Sequence, residues 1–338
     1  MESEKIKPRR CSVTGATGVV GVPLVNQLLN AGHHVRVLAR SAVPNTLFPE
    51  SVEIVQGDLA DNSAVKKVVD GADWIFHLAA KLHISNPDEK LRDEYERTNV
   101  AATNNLLDLA KINNADKFIF FSTINVYGAS KTGEIFDESS PTNPIGFYGE
   151  SKAEAEKLVQ AARNLDGKQF GVCLRLAAVY GSRMKGNYLR LLDAVRRGRF
   201  FFIGNGANRR TTIHQWDAAA AALLAAEKAE GGSIYNATDG EIHTLAEIVK
   251  AMSNSLGKDK PKFRLPIAPV RFGVGAAEDL GKFFGVQTPV NRSLLEKFLE
   301  DVAVSGDKIK RELGFRPQFD LNAGWRETVS NVRLTITD

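Results

Sequence analysis

Cys11-Ser12-Val13-Thr14-Gly15-Ala16-Thr17-Gly18-Val19-Val20-Gly21 reads as an apolar strand, a glycine turn and the opening of a helix that continues to Asn30. In such a turn Gly15 permits the sharp bend, Gly18 lets the backbone approach a pyrophosphate, and Gly21 lets the helix pack closely on the strand. The free amides at the helix start, Thr17 to Gly21, add donors and the positive end of a dipole. The spacing is GxxGxxG rather than GxGxxG, and glycines alone also serve ordinary turns. The strand–loop–helix setting is what makes a dinucleotide site the reading here.

Outward from this stretch, short apolar runs alternate with helix patterns. Strands are expected at Val35–Leu38, Val52–Val55, Trp74–Leu78, Lys117–Phe121 and Gly171–Leu174. Helices are expected at Asp61–Asp70, Asn99–Asn113 and Ser151–Asn164. That alternation specifies an α/β fold, a Rossmann-type doubly wound parallel sheet covered on both faces. After residue 181 the pattern loosens into glycines, basic residues and a helix, Asn187–Arg197, and the alanine-rich helix Ala218–Ala229 is read as packed against the sheet. The expected division is a nucleotide-binding domain of residues 1–178 plus about 213–240. A smaller C-terminal substrate lobe takes 179–212 and 241–338.

The 338 residues, 43% hydrophobic and 25% charged, have a soluble globular balance and enough chain for a sizeable core. The net charge of +4 is scattered, apart from a basic run at Lys5–Arg10 that reads as a solvated tail. Nucleic acid is therefore not the expected partner. No apolar run reaches the length of a membrane span, and the N-terminus lacks a signal-like core, so a cytoplasmic location with no membrane partner is expected. Cys11 and Cys173 sit in apolar runs as buried thiols, and no cysteine–histidine spacing suggests a metal.

Further cofactor contacts are expected at the C-terminal strand ends, where ligands of such sheets bind. Arg40 ends the second strand, where an acidic residue would meet the ribose hydroxyls of NAD; an arginine either meets the 2′-phosphate of NADP or simply faces solvent. Asp58 and Leu59 end the third strand, with Asp58 placed to accept from an adenine amino group. Leu78, Ala79 and Ala80 end the fourth and let the backbone pass close to the cofactor, while His77 reads as a satisfied core histidine.

Tyr-x-x-x-Lys occurs twice, at Tyr127–Lys131 and at Tyr148–Lys152. The first lies in a stretch with glycines and prolines, a loop. The second opens a helix, where i and i+4 share a face. Tyr148 is the expected acid–base residue and Lys152 its cationic partner, which can also bond the nicotinamide ribose. An unperturbed phenol titrates near pH 10, so a base at neutral pH needs about 4 kcal/mol of preference for the phenolate. A nearby ammonium, helped by the charge of an oxidised nicotinamide, is expected to supply it. A third hydroxyl is expected at the end of the Lys117 strand: Thr123, with Ser122 as the alternative.

Taken in order, TGATGVVG, GDL, HLAA, TNV, FSTINVYG, YGESK, LRLAAVYG and KIKRELGFRP resemble the extended branch of the short-chain dehydrogenase/reductases over nearly the whole chain. The resemblance places the triad hydroxyl four residues before Tyr127, at Thr123, and gives Tyr127 a structural role. It implies cofactor contacts at Asn99, from the TNV segment, and at Ser122. Within the branch the chain is similar to UDP-hexose 4-epimerases and their polysaccharide-biosynthesis relatives, on Ala80-Lys81-Leu82-His83, Lys185-Gly186-Asn187-Tyr188-Leu189 and Asn208-Arg209-Arg210. That similarity implies a UDP-sugar held by Lys81, Asn187, Tyr188 and Leu189. Arg210, seven residues before Asp217, would sit on the diphosphate. Phe202 either walls the uracil or forms a core strand. A homodimer through helices 99–113 and 151–164 is also implied. Three departures stand out: Leu176-Ala177-Ala178 replaces a sugar-contacting asparagine, Arg292 is out of register with a second diphosphate arginine, and threonine stands in place of the triad serine. The implied reaction is C4 epimerisation of a UDP-hexose through a 4-keto intermediate on bound NAD(P). The alternatives are an NAD(P)H-dependent 4-keto-sugar reductase, another extended-family reductase, or a non-catalytic cofactor-sensing protein.

Overall fold

The computed structural model describes residues 7–82, 89–131, 133–284 and 291–332; the start of the basic tail and His83 lie outside them. The first half builds β1 (Arg10–Thr14), α1 (Gly21–Asn30), β2 (His34–Ala39), β3 (Glu53–Gln56), α2 (Asn62–Val69) and β4 (Trp74–His77). It continues through α3 (Arg92–Tyr95), a wide turn over Glu96–Ala101, α4 (Ala102–Ile112), β5 (Lys117–Thr123), α5 (Gly146–Ala161) and β6 (Gly171–Leu176). The second half adds β7 (Ala178–Tyr180), α6 (Asn187–Arg196), β8 (Phe202–Ile203), β9 (Arg209–Arg210), β10 (Thr212–His214), α7 (Gln215–Lys228) and β11 (Ile234–Ala237). Then come β12 (His243–Thr244), α8 (Leu245–Ser255), β13 (Arg264–Leu265), α9 (Ile267–Phe283), α10 (Arg292–Leu299), α11 (Asp307–Leu313) and α12 (Leu321–Asn331).

Seven strands form one parallel sheet in the order β11-β6-β5-β4-β1-β2-β3. Its inner strands are buried along most of their length, as the continuous apolar runs require, and every residue of β4 and β6 is buried. One face packs α1 and the alanine-rich α7 over Val13, Phe76, Ile119 and Val172. The other packs α2, α4 and α5 over Ile75, Phe118 and Phe120. Small residues on α7 (Ala218, Ala221, Ala222, Ala225) let it lie close to the sheet. A third apolar cluster joins Tyr180, Leu192, Phe202, Ile248, Met252 and Trp325, drawing β7, α6, α8 and α12 together. Val304, Ile309, Leu313 and Phe315 join the first cluster although they lie in the last third of the chain.

The order reverses beside β1: β2 and β3 lie on one side, β4, β5 and β6 on the other. The crevice above the carboxyl ends of β1 and β4 is where such a sheet binds its ligand. Thr14 and His77 end these paired strands side by side.

Candidate functional site

Gly15 turns at φ +72°, and a Cβ there would sit 2.7 Å from the Ala79 nitrogen, so the loop lies against the end of β4. Gly21 is closed in the same way, its would-be Cβ 2.4 Å from the Gly15 oxygen. Gly18 differs: only the Gly15 oxygen, at 3.1 Å, borders it, and its other side is open. Thr17 is exposed beside it. The two helices that begin near the crevice differ as well. α2 is capped by Asp61, which accepts from the Ser63 and Ala64 amides. α1 has no side-chain cap and no acidic residue in its first turn. An uncapped N-terminus behind a bare glycine presents its donors and positive dipole to an anion.

The floor of the loop is fixed by a buried relay. Thr14 Oγ1 accepts from the Ala79 amide at 3.3 Å and meets His77 Nδ1 at 2.7 Å. His77 Nε2 meets Thr103 Oγ1 at 3.0 Å, and that hydroxyl donates to the Asn99 carbonyl. Because the Thr103 proton is used there, its oxygen accepts from His77, which is thus the neutral Nε2–H tautomer. Burial, reinforced by the Lys152 charge, pushes the His77 pKa down to about 3. His77 is the satisfied core histidine expected.

Asn99 is buried and bonded within the chain. Its Oδ1 accepts from the Lys81 amide at 2.7 Å, and its Nδ2 donates to the Lys81 carbonyl and to Ser151 Oγ. It ties the loop after β4 to α5. Leu78, Ala79 and Ala80 remain partly exposed at the strand end. Leu59 is buried, while Asp58 is exposed, accepts from the Ala60 amide, and faces Arg40 across 3.9 Å. Arg40 itself is 82% exposed at the end of β2.

α5 begins at Gly146, five residues before the sequence pattern suggested, so Tyr148 and Lys152 both lie within it, one turn apart. Gly146 has φ +80°, which bends the chain into the helix after Pro144. Thr123, the last residue of β5, hydrogen-bonds the Tyr148 phenol and accepts from the Asn125 amide at 3.2 Å. The phenol is not lowered as expected. Burial, and the neighbouring Tyr95 phenol, push it up to about 12, with only Thr123 opposing. Lys152 is not among the groups acting on the phenol; its ammonium lies 3.8 Å from the centre of the Phe120 ring. Burial lowers its pKa to about 7, against the pull of Glu156. Lys152 is 1% exposed and makes no hydrogen bond among the described residues. Ser122 Oγ, also buried, has no partner.

These open groups fit a dinucleotide: the bare side of Gly18 and the α1 amides for a pyrophosphate, and Ser122 and Lys152 for hydroxyl-bearing groups beyond it. Among the described residues no cluster could hold a metal ion.

The other Tyr-x-x-x-Lys is excluded by packing. Tyr127 is buried in a tight turn, accepts from Arg175 at 2.8 Å and donates to Asn236 Oδ1 at 2.8 Å, while Lys131 is exposed. Arg175 forks onto Glu156 at 2.7–3.1 Å, and both side chains are buried. This network was not anticipated. Its signal was present in Glu156, placed i+4 from Lys152.

The substrate side is less open. The Lys81 ammonium pairs with Glu94 at 2.5 Å. Arg210 donates to the carbonyls of Arg209, Lys297, Phe298 and Glu300, closing the C-terminal end of α10. It is not a displayed phosphate clamp in this arrangement. Phe202 is 4% exposed and belongs to the lobe core, with Phe200 against its ring, in line with the core-strand alternative. Asn187, Tyr188 and Leu189 open α6; Tyr188 lies within the electrostatic reach of Arg210, and burial holds its phenol up at about 12. Arg292 is occupied by Glu278 and Asp279. Asp217 accepts from the Gln318 and Phe319 amides and holds the C-terminal segment to α7.

The model of the NAD dependent epimerase/dehydratase family matches residues 11–238. The chain belongs to that family. Its members use NAD, so the dinucleotide that the crevice fits is a nicotinamide one. Relatives among characterised proteins include the 3 beta-hydroxysteroid dehydrogenase/Delta 5-->4-isomerase of Mycobacterium tuberculosis, 29% identical over 92% of this chain and 86% of that one. The N-acetyl-alpha-D-glucosaminyl-diphospho-ditrans,octacis-undecaprenol 4-epimerase of Escherichia coli O157:H7 is 26% identical over 93% and 92%. MoeE5, solved with UDP-glucuronic acid and NAD, shares the fold at a TM-score of 0.74 and 23% identity, over 97% of this chain and 100% of its own.

Proposed function

We propose that this chain catalyses reversible hydride transfer between a secondary alcohol carbon and bound NAD(P), with Tyr148 as the acid–base residue. The observation that carries the reading is Tyr148 hydrogen-bonded to Thr123 at the end of β5, with Lys152 one turn below and unbonded. A bound nicotinamide supplies the hydride acceptor and, when oxidised, a positive charge. Tyr148 takes the hydroxyl proton as the carbon gives up hydride and returns it in the reverse direction. Thr123 holds the phenol and the substrate oxygen in line. Lys152, with the phenol, favours the ionised pair once a ribose hydroxyl shares its charge.

Net oxidation or reduction is the favoured outcome of this step. Arg210 and Lys81, the groups that would hold a nucleotide diphosphate, are already bonded within the chain. The steroid dehydrogenase relative supports a substrate with an apolar body. The second reading is epimerisation of a UDP-hexose at C4 through a 4-keto intermediate, with no net redox change; the 4-epimerase relative supports it. A homodimer through α4 and α5 is compatible with either. One experiment separates the readings: incubate the protein with NADPH or NADH and a steroid 3-ketone, and separately with UDP-glucose, following nicotinamide absorbance and product isomers. Stoichiometric consumption of reduced cofactor with the ketone supports the first. Isomer formation from UDP-glucose at constant absorbance supports the second. Turnover unchanged in Tyr148→Phe refutes both.

A further inference from the structure

α9 carries its apolar side on the outside. At 100° per residue, Pro269, Phe272, Gly273, Ala276 and Leu280 share one face, and all are exposed. Phe272 is 80% exposed and Leu280 60%. Phe284, just beyond the helix, is 66% exposed. On the opposite face Val270 and Val274 are half-buried and Gly275 is buried, beside the ion-paired Arg271 and Glu278. A surface helix ordinarily turns its apolar stripe to the core and its polar residues to water, and the outer stripe of α9 does the reverse. Single exposed leucines need no explanation, but a contiguous apolar face does.

The segment that leads into α9 adds another exposed aromatic residue. Phe263, 63% exposed, meets the exposed Phe201 edge-on at 6.3 Å. Just before it the chain reads Lys258-Asp259-Lys260-Pro261-Lys262. All three lysines are exposed, and none has an ion-pair partner among the described residues. Chain length places Lys262 within about 17 Å of the start of α9. The carboxylates of α9 and α10, by contrast, are already held: Glu296 by Arg271, and Glu278 and Asp279 by Arg292.

We propose that the outer face of α9, with the Lys258–Lys262 loop at its edge, is a docking surface for an anionic lipid bilayer. Apolar side chains would enter the acyl boundary, and the lysines would meet lipid phosphates. The charge pattern selects this occupant over a second copy of the chain. A second copy would have to answer the same lysines with free carboxylates, and this face offers Asp259 alone among them. No helix of the described residues is long and apolar enough to cross a membrane, so the association is peripheral. The inference is independent of which substrate the crevice takes, because it is read from a different surface.

The test is co-sedimentation of the full chain with phosphatidylcholine vesicles, with and without phosphatidylglycerol. The wild-type protein should sediment with the anionic vesicles and be released by salt. Phe272→Glu/Leu280→Glu should weaken this by more than about tenfold, and Lys260→Glu/Lys262→Glu by at least about tenfold, each at an unchanged melting temperature. Absence of wild-type binding overturns the proposal. So does undiminished binding in either variant, or a finding that the α9 variant changes only the oligomeric state, which would give the face to a second copy.

Discussion

Lys152 and Arg210 are two cations expected at one site, the first on α5 beside the sheet and the second on β9 in the lobe. Lys152 is buried over an aromatic ring and makes no hydrogen bond among the described residues. Arg210 is partly buried and donates to four carbonyls. A buried ammonium without acceptors is unfavourable unless a ligand or a charge completes it. A guanidinium that closes a helix end is already complete. The same contrast holds for neighbours: Ser122 and the α1 amides are open, whereas Arg292 in the lobe is paired. The sheet half is built to receive something, and the lobe half is built largely to hold itself.

The sharpest challenge to this contrast is Tyr148→Phe. It should lower kcat by roughly 10²–10⁴-fold while dinucleotide affinity, read by fluorescence of bound NADH, stays nearly unchanged. Arg210→Ala comes next. It leaves α10 carbonyls bare, so a loss of about 2–3 kcal/mol is expected, seen as a melting temperature lower by several degrees. An intact melting temperature with a raised KM for a nucleotide sugar would instead return Arg210 to the substrate. Arg40→Ala should cut affinity for NADP about tenfold and leave NAD little changed, as loss of one charge-assisted contact implies. Equal titrations of both cofactors in the variant and wild type would make Arg40 a solvent-facing side chain.

The smallest effect is a slope. Lys152 titrates near 7 in the fold, against an ordinary 10.5. Between those values the unfolded chain binds the extra proton, so this group makes stability rise with pH over the window and lose that increment as pH falls toward 7. Lys152→Met should flatten that part of the plot of melting temperature against pH. An unaltered slope would mean that the ammonium is not buried as the geometry shows.

Much of this was legible beforehand. The strand runs came within one or two residues, because a parallel sheet buried on both faces demands continuous apolar stretches. The glycine turn was legible because Gly15 and Gly21 each admit no Cβ. Tyr148 was separable from Tyr127 because only one of them opens a helix pattern. Other features were not legible. Helix α5 starts five residues early, since Gly146 supplies the positive φ that lets the chain enter after a proline. Phe202 and Arg210 were read by type, and neither its burial nor its acceptors are local properties.

The order of strands and helices, the glycine loop and the tyrosine–lysine spacing belong to the amino-acid sequence alone, since periodicity and short-range sterics act within a few residues. Whether a polar group is available to a ligand was decided only by the tertiary structure. The carbonyl that takes the Arg210 proton belongs to Phe298, 88 residues away, and the amide that fixes Thr14 belongs to Ala79, 65 residues away. Hydrogen-bond capacity is finite, and which partners fill it depends on folding the whole chain.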